Sequence, residues 1–337
     1  MLGARIDLQL PDDGRRVLLG PNQCNRIHLM HGRKTACARQ AWTLIEILVV
    51  IFILCVLMAI LLPILDAARE QGRRVVCQGR LRQLYYAWNQ YADDHAGRLI
   101  YCLTWRPQLP WTSPQGRNPW LLGRAMPIEP LEALSREDWR DMLGQGALWP
   151  YLREVDMYGC PACPSQLRIS MDSSGLMNVT KTPIRLSYSI SASMGTDGPL
   201  PDVGGLPSAG LQRVGQPPLY VSSFQEMTSP GPGARMVFIC DGDLRAASAV
   251  FYDEPRWHSP PPVYHRDGTT LSFADGHCEY WKWSDPLTLR LGRLARDNFA
   301  AYADTAHRGE TLTPGNPDME RLQRAMWGGL GYSTESK

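Results

Sequence analysis

The stretch AWTLIEILVVIFILCVLMAILLP, residues 41–63, has the composition of a membrane-spanning helix. No residue from Ile47 to Leu65 is charged, and a bilayer core is crossed by about 20 apolar residues in helical form. A helix buried inside a soluble protein is seldom apolar on every face for so long. A cleavable secretory signal has a shorter apolar region, about 7–15 residues. The sequence therefore predicts a membrane helix that stays in the mature protein.

One ionisable residue, Glu46, stands near the start of this apolar run. Placing a carboxylate in the membrane costs about 2.5–3.5 kcal/mol even on insertion scales. Two interpretations follow from the residue alone. Glu46 reaches back to the membrane interface, or it pairs with a cation of a neighbouring chain, which offsets the desolvation of both charges. The numbers of Lys and Arg residues on the two sides of the run do not decide the orientation of the helix.

The segment WTLIEILVV, residues 42–50, resembles the N-terminal signature of type IV prepilins and type II secretion pseudopilins. In that family a prepilin peptidase cuts on the cytoplasmic side, before an aromatic residue, and methylates the new N-terminus. The resemblance implies a cut between Ala41 and Trp42, a methylated Trp42, and a Glu46 that pairs with the N-terminal amine of a neighbouring subunit during assembly. Ala41 and Trp42 stand where the family usually has Gly and Phe, and Pro63 matches a proline that is common near the end of the helix.

The same resemblance implies the topology of the chain. Residues 1–41 are expected to be a cytoplasmic leader. Met30 is an alternative start, because MHGRKTACARQA has the length and basic character of an ordinary leader. Residues 42–65 are the transmembrane half of the N-terminal helix. The protein is then a single-pass protein of the inner membrane, with its C-terminal domain in the periplasm.

The helix is predicted to continue beyond the membrane as an amphipathic extension over residues 66–97. Apolar residues recur there at spacings of three and four and form one stripe: Cys77, Leu81, Leu84, Trp88 and Tyr91. Gly97 is a plausible stop. The arginines of this segment lie off the stripe and form a solvated face, so that no nucleic-acid partner is expected.

Residues 98–337 are long enough for one globular domain with its own core. The segment from Arg235 to Cys240 is a predicted buried strand. Residues 264–283 are predicted to form a three-stranded antiparallel meander with one buried face, because strand-like alternation lies between two Asp-Gly dipeptides typical of tight hairpin turns. The predicted fold is α+β and pilin-like, with one long N-terminal helix, half transmembrane, docked on a soluble domain that contains an antiparallel sheet.

A second motif supports the family resemblance. His265, nine intervening residues, and then Asp275-Gly276 resemble the His-x9-Asp-Gly motif of a prepilin-like group abundant in planctomycete-type bacteria. We expect Asp275-Gly276 to form a turn and His265 to make a hydrogen bond that pins the meander.

The cysteines predict a structural disulfide rather than a metal site. Six of the nine cysteines lie outside the leader and the membrane helix, where disulfides are permitted. Cys160 and Cys163, in a lone CxxC, are the candidate pair. A zinc site would need two more ligands, and the chain has no second CxxC. A redox role would need a thioredoxin-like context.

Asp241, Asp243 and Asp275 are candidate calcium ligands, because carboxylate oxygens suit that ion. Asp-Gly turns need no metal, however, and no metal or cofactor is expected.

No catalytic signature is present: the sequence lacks GxSxG, HExxH, P-loop and dinucleotide-binding patterns. The expected function is that of a non-enzymatic structural subunit, a pseudopilin or minor pilin in a type II secretion or type IV pilus-like filament. Its expected partners are the prepilin peptidase, other pilin-like subunits and inner-membrane lipid. The alternative is a membrane-anchored extracytoplasmic binding module that uses the prepilin signal only for export and anchoring.

Overall fold

A computed structural model of the chain describes residues 43–102, 119–120, 136–163, 166–171, 177–182, 186–195, 220–242, 250 and 254–332. The leader, with Met30 and the junction between Ala41 and Trp42, lies outside the described residues. The chain divides into two compact units, Met1–Met58 and Ala59–Lys337.

The described part of the first unit is the beginning of helix α1, Leu44–Asp94. Its apolar side chains up to Met58 are all exposed. Among the described residues, α1 is the one helix that is long and apolar enough to cross a membrane, and its most apolar 18-residue window has a mean hydropathy of 3.4 with no part of it buried. The predicted long apolar helix is therefore confirmed.

In the second unit, α1 continues as an amphipathic helix that packs against the globular domain. The buried residues of this half include the whole predicted stripe: Cys77, Leu81, Leu84, Trp88 and Tyr91. The helix ends at Asp94, and Gly97 follows with a φ of +80°. The Gly97 N–H donates to the Ala92 carbonyl at 2.8 Å. Because glycine adopts a positive φ without steric cost, it closes the helix at the predicted place.

Short elements follow α1 before the main sheet begins. They are α2 (Arg136–Gly144), α3 (Trp149–Leu152), and a hairpin of β1 (Gln166–Met171) with β2 (Met177–Thr182). The main sheet has four antiparallel strands in the order β3 (Tyr188–Ile190), β4 (Met236–Cys240), β5 (Gly268–Phe273) and β6 (Cys278–Lys282). Among the described residues, three helices follow the sheet: α4 (Pro286–Asp297), α5 (Phe299–His307) and α6 (Pro317–Trp327).

The central strands β4 and β5 are buried on both faces. Val237, Phe238 and Cys240 belong to one apolar cluster with the stripe of α1. Met236, Ile239 and Leu271 belong to a second cluster with residues of α4 and α6, namely Leu291, Met319, Leu322 and Met326.

A register shift between Met236 and Phe238 breaks the alternation of β4, so that the neighbours Val237 and Phe238 belong to the same cluster. The expectation of a single buried face is therefore wrong, because the C-terminal helices cover the second face.

The segment 264–283 contributes two strands to the sheet, β5 and β6, rather than three. The third member of the meander is β4, which comes from earlier in the chain. Pro260, Pro261 and Pro262 precede the segment and cannot donate ladder hydrogen bonds. The residues up to β5 then form a tight turn, in which the His265 N–H donates to the Gly268 carbonyl at 3.2 Å.

The second Asp-Gly dipeptide forms a longer turn than the two-residue type. The Phe273 N–H donates to the His277 carbonyl at 3.0 Å, which leaves three residues in the loop. Gly276 alone of these has a positive φ, +92°. This is the pattern of a three-residue hairpin loop with glycine in the left-handed position.

Candidate metal centre

Four potential ligand atoms converge in the second unit: the Sγ atoms of Cys77, Cys160 and Cys240 and a ring nitrogen of His265. All four atoms lie within 4.8 Å of one another. The four residues are buried, with His265 completely inaccessible. This is the one group of potential metal ligands found in the described part of the chain.

Each of the four residues comes from a different segment of the fold. Cys77 lies on the buried stripe of α1, and Cys240 is the last residue of β4. Cys160 follows a short 3-10 turn, Val155–Tyr158, and His265 lies in the turn before β5. The packing of α1 on the sheet therefore brings these residues together.

The loop from Cys160 to Cys163 wraps its backbone around the Cys160 sulfur. The Ala162 N–H donates to the Cys160 Sγ at 3.3 Å, and the Cys163 N–H donates to the Cys160 carbonyl at 3.1 Å. The Cys163 thiol lies within hydrogen-bonding reach of the Cys160 and Cys240 sulfurs. Both cysteines of the CxxC are free thiols, so the structure does not contain the predicted disulfide between Cys160 and Cys163.

Hydroxyl groups of the sheet surround the Cys77 sulfur. The Tyr188 hydroxyl donates to the Cys77 Sγ at 3.3 Å. The Thr270 Oγ1 lies 2.9 Å from the same sulfur, in a hydrogen bond that either group can donate. Two strands, β3 and β5, thus contribute polar partners to a cysteine of α1.

The His265 ring is held between a carboxylate and the sulfurs. Its Nδ1 is 2.9 Å from the Oε1 of Glu70, a buried residue of α1, and its Nε2 is 3.3 Å from the Cys160 Sγ. A proton on Nδ1 that is donated to Glu70 leaves the lone pair of Nε2 directed at the sulfurs. The hydrogen bond expected from His265 is thus made to α1 and to Cys160. The meander is held by a different contact, from the Tyr280 hydroxyl to the His265 carbonyl at 3.1 Å.

Burial and the hydrogen bonds within the cluster shift the pKa values of its residues. Burial raises the pKa of Cys163 and of Cys240 well above that of an ordinary thiol. Hydrogen bonds from Cys163, Cys240 and Cys77 lower the pKa of Cys160. Burial alone lowers the pKa of His265, but its hydrogen bonds to the Cys160 and Cys77 sulfurs raise that pKa to about 10. Without a cation these opposite shifts favour a thiolate on Cys160 beside a protonated His265.

The other predicted site residues do not converge. His265 precedes β5 and Asp275-Gly276 follows it, so the six-residue strand, about 20 Å long, separates the two ends of the motif.

The candidate calcium ligands are also far apart. Asp241 is buried just after β4. Because β4 and β5 are antiparallel, this position lies beside the start of β5, whereas Asp275 follows the end of β5. Asp275 accepts a hydrogen bond from the His277 N–H at 3.1 Å on the surface. Asp243 lies outside the described residues. The candidate calcium ligands Asp241 and Asp275 therefore form no common site.

The donor set determines the chemistry that the cluster can support. Three thiols and an imidazole are soft to borderline ligands, which suit Zn²⁺ and not Ca²⁺ or Mg²⁺. The site is closed to solvent, whereas a catalytic zinc keeps an open position for water or substrate. Each of the four residues has a signal in the sequence: a stripe position, a CxxC, a strand end and a motif histidine. The sequence contains no signal that these four residues meet in the folded protein.

No family model matches the chain, and neither a curated protein nor a solved structure matches it.

Proposed function

We propose that the chain is a non-enzymatic, pilin-like subunit that α1 anchors in the inner membrane. The observation that carries the proposal is the composition of the first half of α1. From Thr43 to Leu65, Glu46 is the only charged residue. It lies in the first turn of α1, in the half of the helix whose side chains are otherwise apolar and exposed in the single chain. The segment 42–50, WTLIEILVV, resembles the prepilin signature, which supports cleavage between Ala41 and Trp42 by a prepilin peptidase.

Glu46 also has a local partner within the subunit. Its Oε2 accepts hydrogen bonds from the Thr43 N–H at 2.8 Å and from the Thr43 hydroxyl at 2.9 Å. The Glu46 N–H donates in return to the Thr43 Oγ1 at 3.2 Å. This reciprocal pattern is a capping box, which stabilises the start of a helix without any neighbour. An assembly role therefore has to be separated from a capping role.

Two substitutions at Glu46 make that separation. Glu46→Gln keeps a side chain that capping boxes accept but removes the charge, whereas Glu46→Leu removes both. If Glu46 pairs with the N-terminal amine of a neighbouring subunit, both variants leave that amine desolvated and unpaired. We expect crosslinking between the α1 helices of neighbouring subunits to fall sharply in both variants, while the membrane level of Glu46→Gln equals that of the wild type.

A different pattern of crosslinking would contradict an assembly role for Glu46. Wild-type crosslinking in Glu46→Gln, with a loss only in Glu46→Leu, would assign the carboxylate to helix capping and remove the assembly role. A wild-type protein that gives no crosslinks between α1 helices would make the membrane-anchored binding module the preferred function, since a tethered binder does not depend on assembly.

Processing is tested separately, by mass spectrometry of the intact protein extracted from membranes that contain an active prepilin peptidase. We expect a chain that begins at Trp42 and carries a methyl group on its amine. A mature chain that still contains Arg39 would contradict the proposed cleavage.

A further inference from the structure

The cluster of Cys77, Cys160, Cys240 and His265 has the size that a single tetrahedral ion requires. With Zn–S bonds of about 2.3 Å, tetrahedral geometry places two sulfurs about 3.8 Å apart. The four ligand atoms already lie within 4.8 Å of one another, and the pair of Cys160 Sγ and His265 Nε2 is at 3.3 Å. We propose that these four residues bind one Zn²⁺ ion in a closed, structural Cys3His site.

The surroundings of the cluster are those of a metal site as well. Glu70 orients His265 through Nδ1, which is the carboxylate–histidine arrangement that fixes the ligating nitrogen of a zinc-bound imidazole. The Cys160 sulfur accepts from the Ala162 N–H, and the Cys77 sulfur accepts from the Tyr188 hydroxyl. Such donors stabilise negative charge on thiolate ligands. Simple packing of buried cysteines requires none of these contacts.

The charges of the proposed site are also accommodated. The thiols and the His265 imidazolium lose their protons to solvent when they become ligands, and three thiolates with Zn²⁺ and a neutral imidazole carry a net charge of −1. The Arg80 guanidinium donates to the Gly159 carbonyl, next to Cys160, at 2.5 Å. Arg73 lies 3.9 Å from the Glu70 carboxylate. Cationic side chains thus lie beside the loop that carries Cys160 and beside the Glu70 carboxylate.

The ion would join segments that are far apart in the chain. Its ligands come from α1, from the loop after the 3-10 turn, from β4 and from the turn before β5. Zinc therefore acts as a crosslink between the N-terminal helix and the sheet. Because such a site does not exist in the unfolded chain, the free energy of metal binding contributes to folding.

The first test is the metal content of the full-length protein, extracted in detergent and purified without chelators. We expect about one zinc per chain by elemental analysis and native mass spectrometry. X-ray absorption should show three sulfurs at about 2.3 Å and one nitrogen at about 2.0–2.1 Å from the metal. Stoichiometric iron or copper in place of zinc would overturn the identity of the ion. Protein that neither contains zinc nor takes it up, or that carries a disulfide between cluster cysteines, would overturn the site.

Variants test which residues bind the ion. Cys240→Ser should lose zinc, whereas the control Cys102→Ser should retain it, since Cys102 is an equally buried free thiol outside the cluster. Cys163→Ser should also retain zinc. Loss of zinc in Cys163→Ser, or retention in Cys240→Ser, would contradict the proposed ligand set.

A variant of Glu70, which contacts the ligand His265 and not the ion, keeps the test informative if a ligand variant does not fold. Glu70→Gln preserves the size of the side chain but weakens the hold on the His265 Nδ1. We expect it to fold and to bind zinc about 10–100-fold more weakly in competition with a coloured chelator, as is typical when a group hydrogen-bonded to a metal ligand is changed. An unchanged zinc affinity in Glu70→Gln would mean that Glu70 does not position a ligand, and would count against the assignment of His265.

Discussion

At the scale of single residues, the two ends of the motif from His265 to Gly276 contact two points on the same helix. His265 is hydrogen-bonded to Glu70, and Gly276 lies against the ring of Tyr85. Along α1, Glu70 and Tyr85 are about 22 Å apart. The strand β5 between the two ends of the motif is about 20 Å long. The spacing of the motif therefore matches a strand laid along the helix, with a turn at each end.

Gly276→Val tests the far end of this arrangement. Gly276 has a φ of +92°, and a Cβ atom at this position would stand 2.6 Å from the Tyr85 Cε1. We expect a cost of about 1–2 kcal/mol from the left-handed backbone and about 1–3 kcal/mol from crowding. The variant should lower the melting temperature of the full-length protein in detergent.

Gly315→Val is the matched control for Gly276→Val. Gly315 has a φ of +74°, but nothing lies within 4 Å of an added Cβ. The control should carry the backbone cost alone. Equal melting temperatures for the two variants would show that the contact with Tyr85 does not restrict this turn.

At the scale of elements, the second half of α1 is held by its apolar stripe. Leu81, Leu84 and Trp88 are fully buried and share one apolar cluster with residues of β4. Helical stability in proteins comes mainly from such packing of one face. The stripe therefore determines which side of α1 meets the sheet, and it carries Cys77 to the cluster of thiols.

Leu84→Ala should destabilise the protein by about 2–5 kcal/mol, because the substitution leaves a cavity under the helix. Val75→Ala on the same helix is the control, since Val75 is 62% exposed. Its effect should stay within about 0.5 kcal/mol. Denaturant unfolding followed by tryptophan fluorescence measures both. A similar loss of stability in the two variants would mean that the face of α1 assigned to the sheet is wrong.

The C-terminal helices α4 and α6 lie outside the predicted elements, although the sequence contains a start signal for each of them. Asp285 precedes Pro286 and accepts hydrogen bonds from the N–H groups of the first turn of α4. Asn316 precedes Pro317 and caps α6 in the same way. A capping residue followed by proline is a recognised start signal for a helix. The cap residues are also joined, because the Asn316 Nδ2 donates to the Asp285 Oδ1 at 2.9 Å.

At the scale of the whole molecule, the proposed zinc ion contributes to the stability of the second unit. A ligand that binds only the folded state stabilises it by about 2.7 kcal/mol when its free concentration is 100 times its Kd. Removal of zinc with a strong chelator should therefore lower the melting temperature by several degrees, and added zinc should restore it.

The variant Cys240→Ser is the control for the chelation experiment. Without a complete ligand set, its melting temperature should not respond to the chelator. A wild-type protein that contains zinc but melts at the same temperature with and without chelator would show that the ion does not stabilise the fold.

Features that depend on residues close together in the chain could be predicted without the structure. The apolar run gave the long helix, the spacing of Leu81 and Leu84 gave its buried stripe, and Gly97 marked the place where the helix ends. These predictions succeed because periodicity and backbone preference act over a few residues. The strand that ends in Cys240 followed from its run of apolar residues in the same way.

Contacts between residues that are distant in the chain could not be predicted in this way. The single CxxC argued against zinc, because the remaining ligands, on α1, at the end of β4 and before β5, cannot be recognised as partners from their spacing. Likewise, the burial of both faces of β5 depends on helices that follow it in the chain. Such contacts arise when a helix and a sheet bury their apolar surfaces against each other, and no local pattern in the sequence records which cysteine of one will face which histidine of the other.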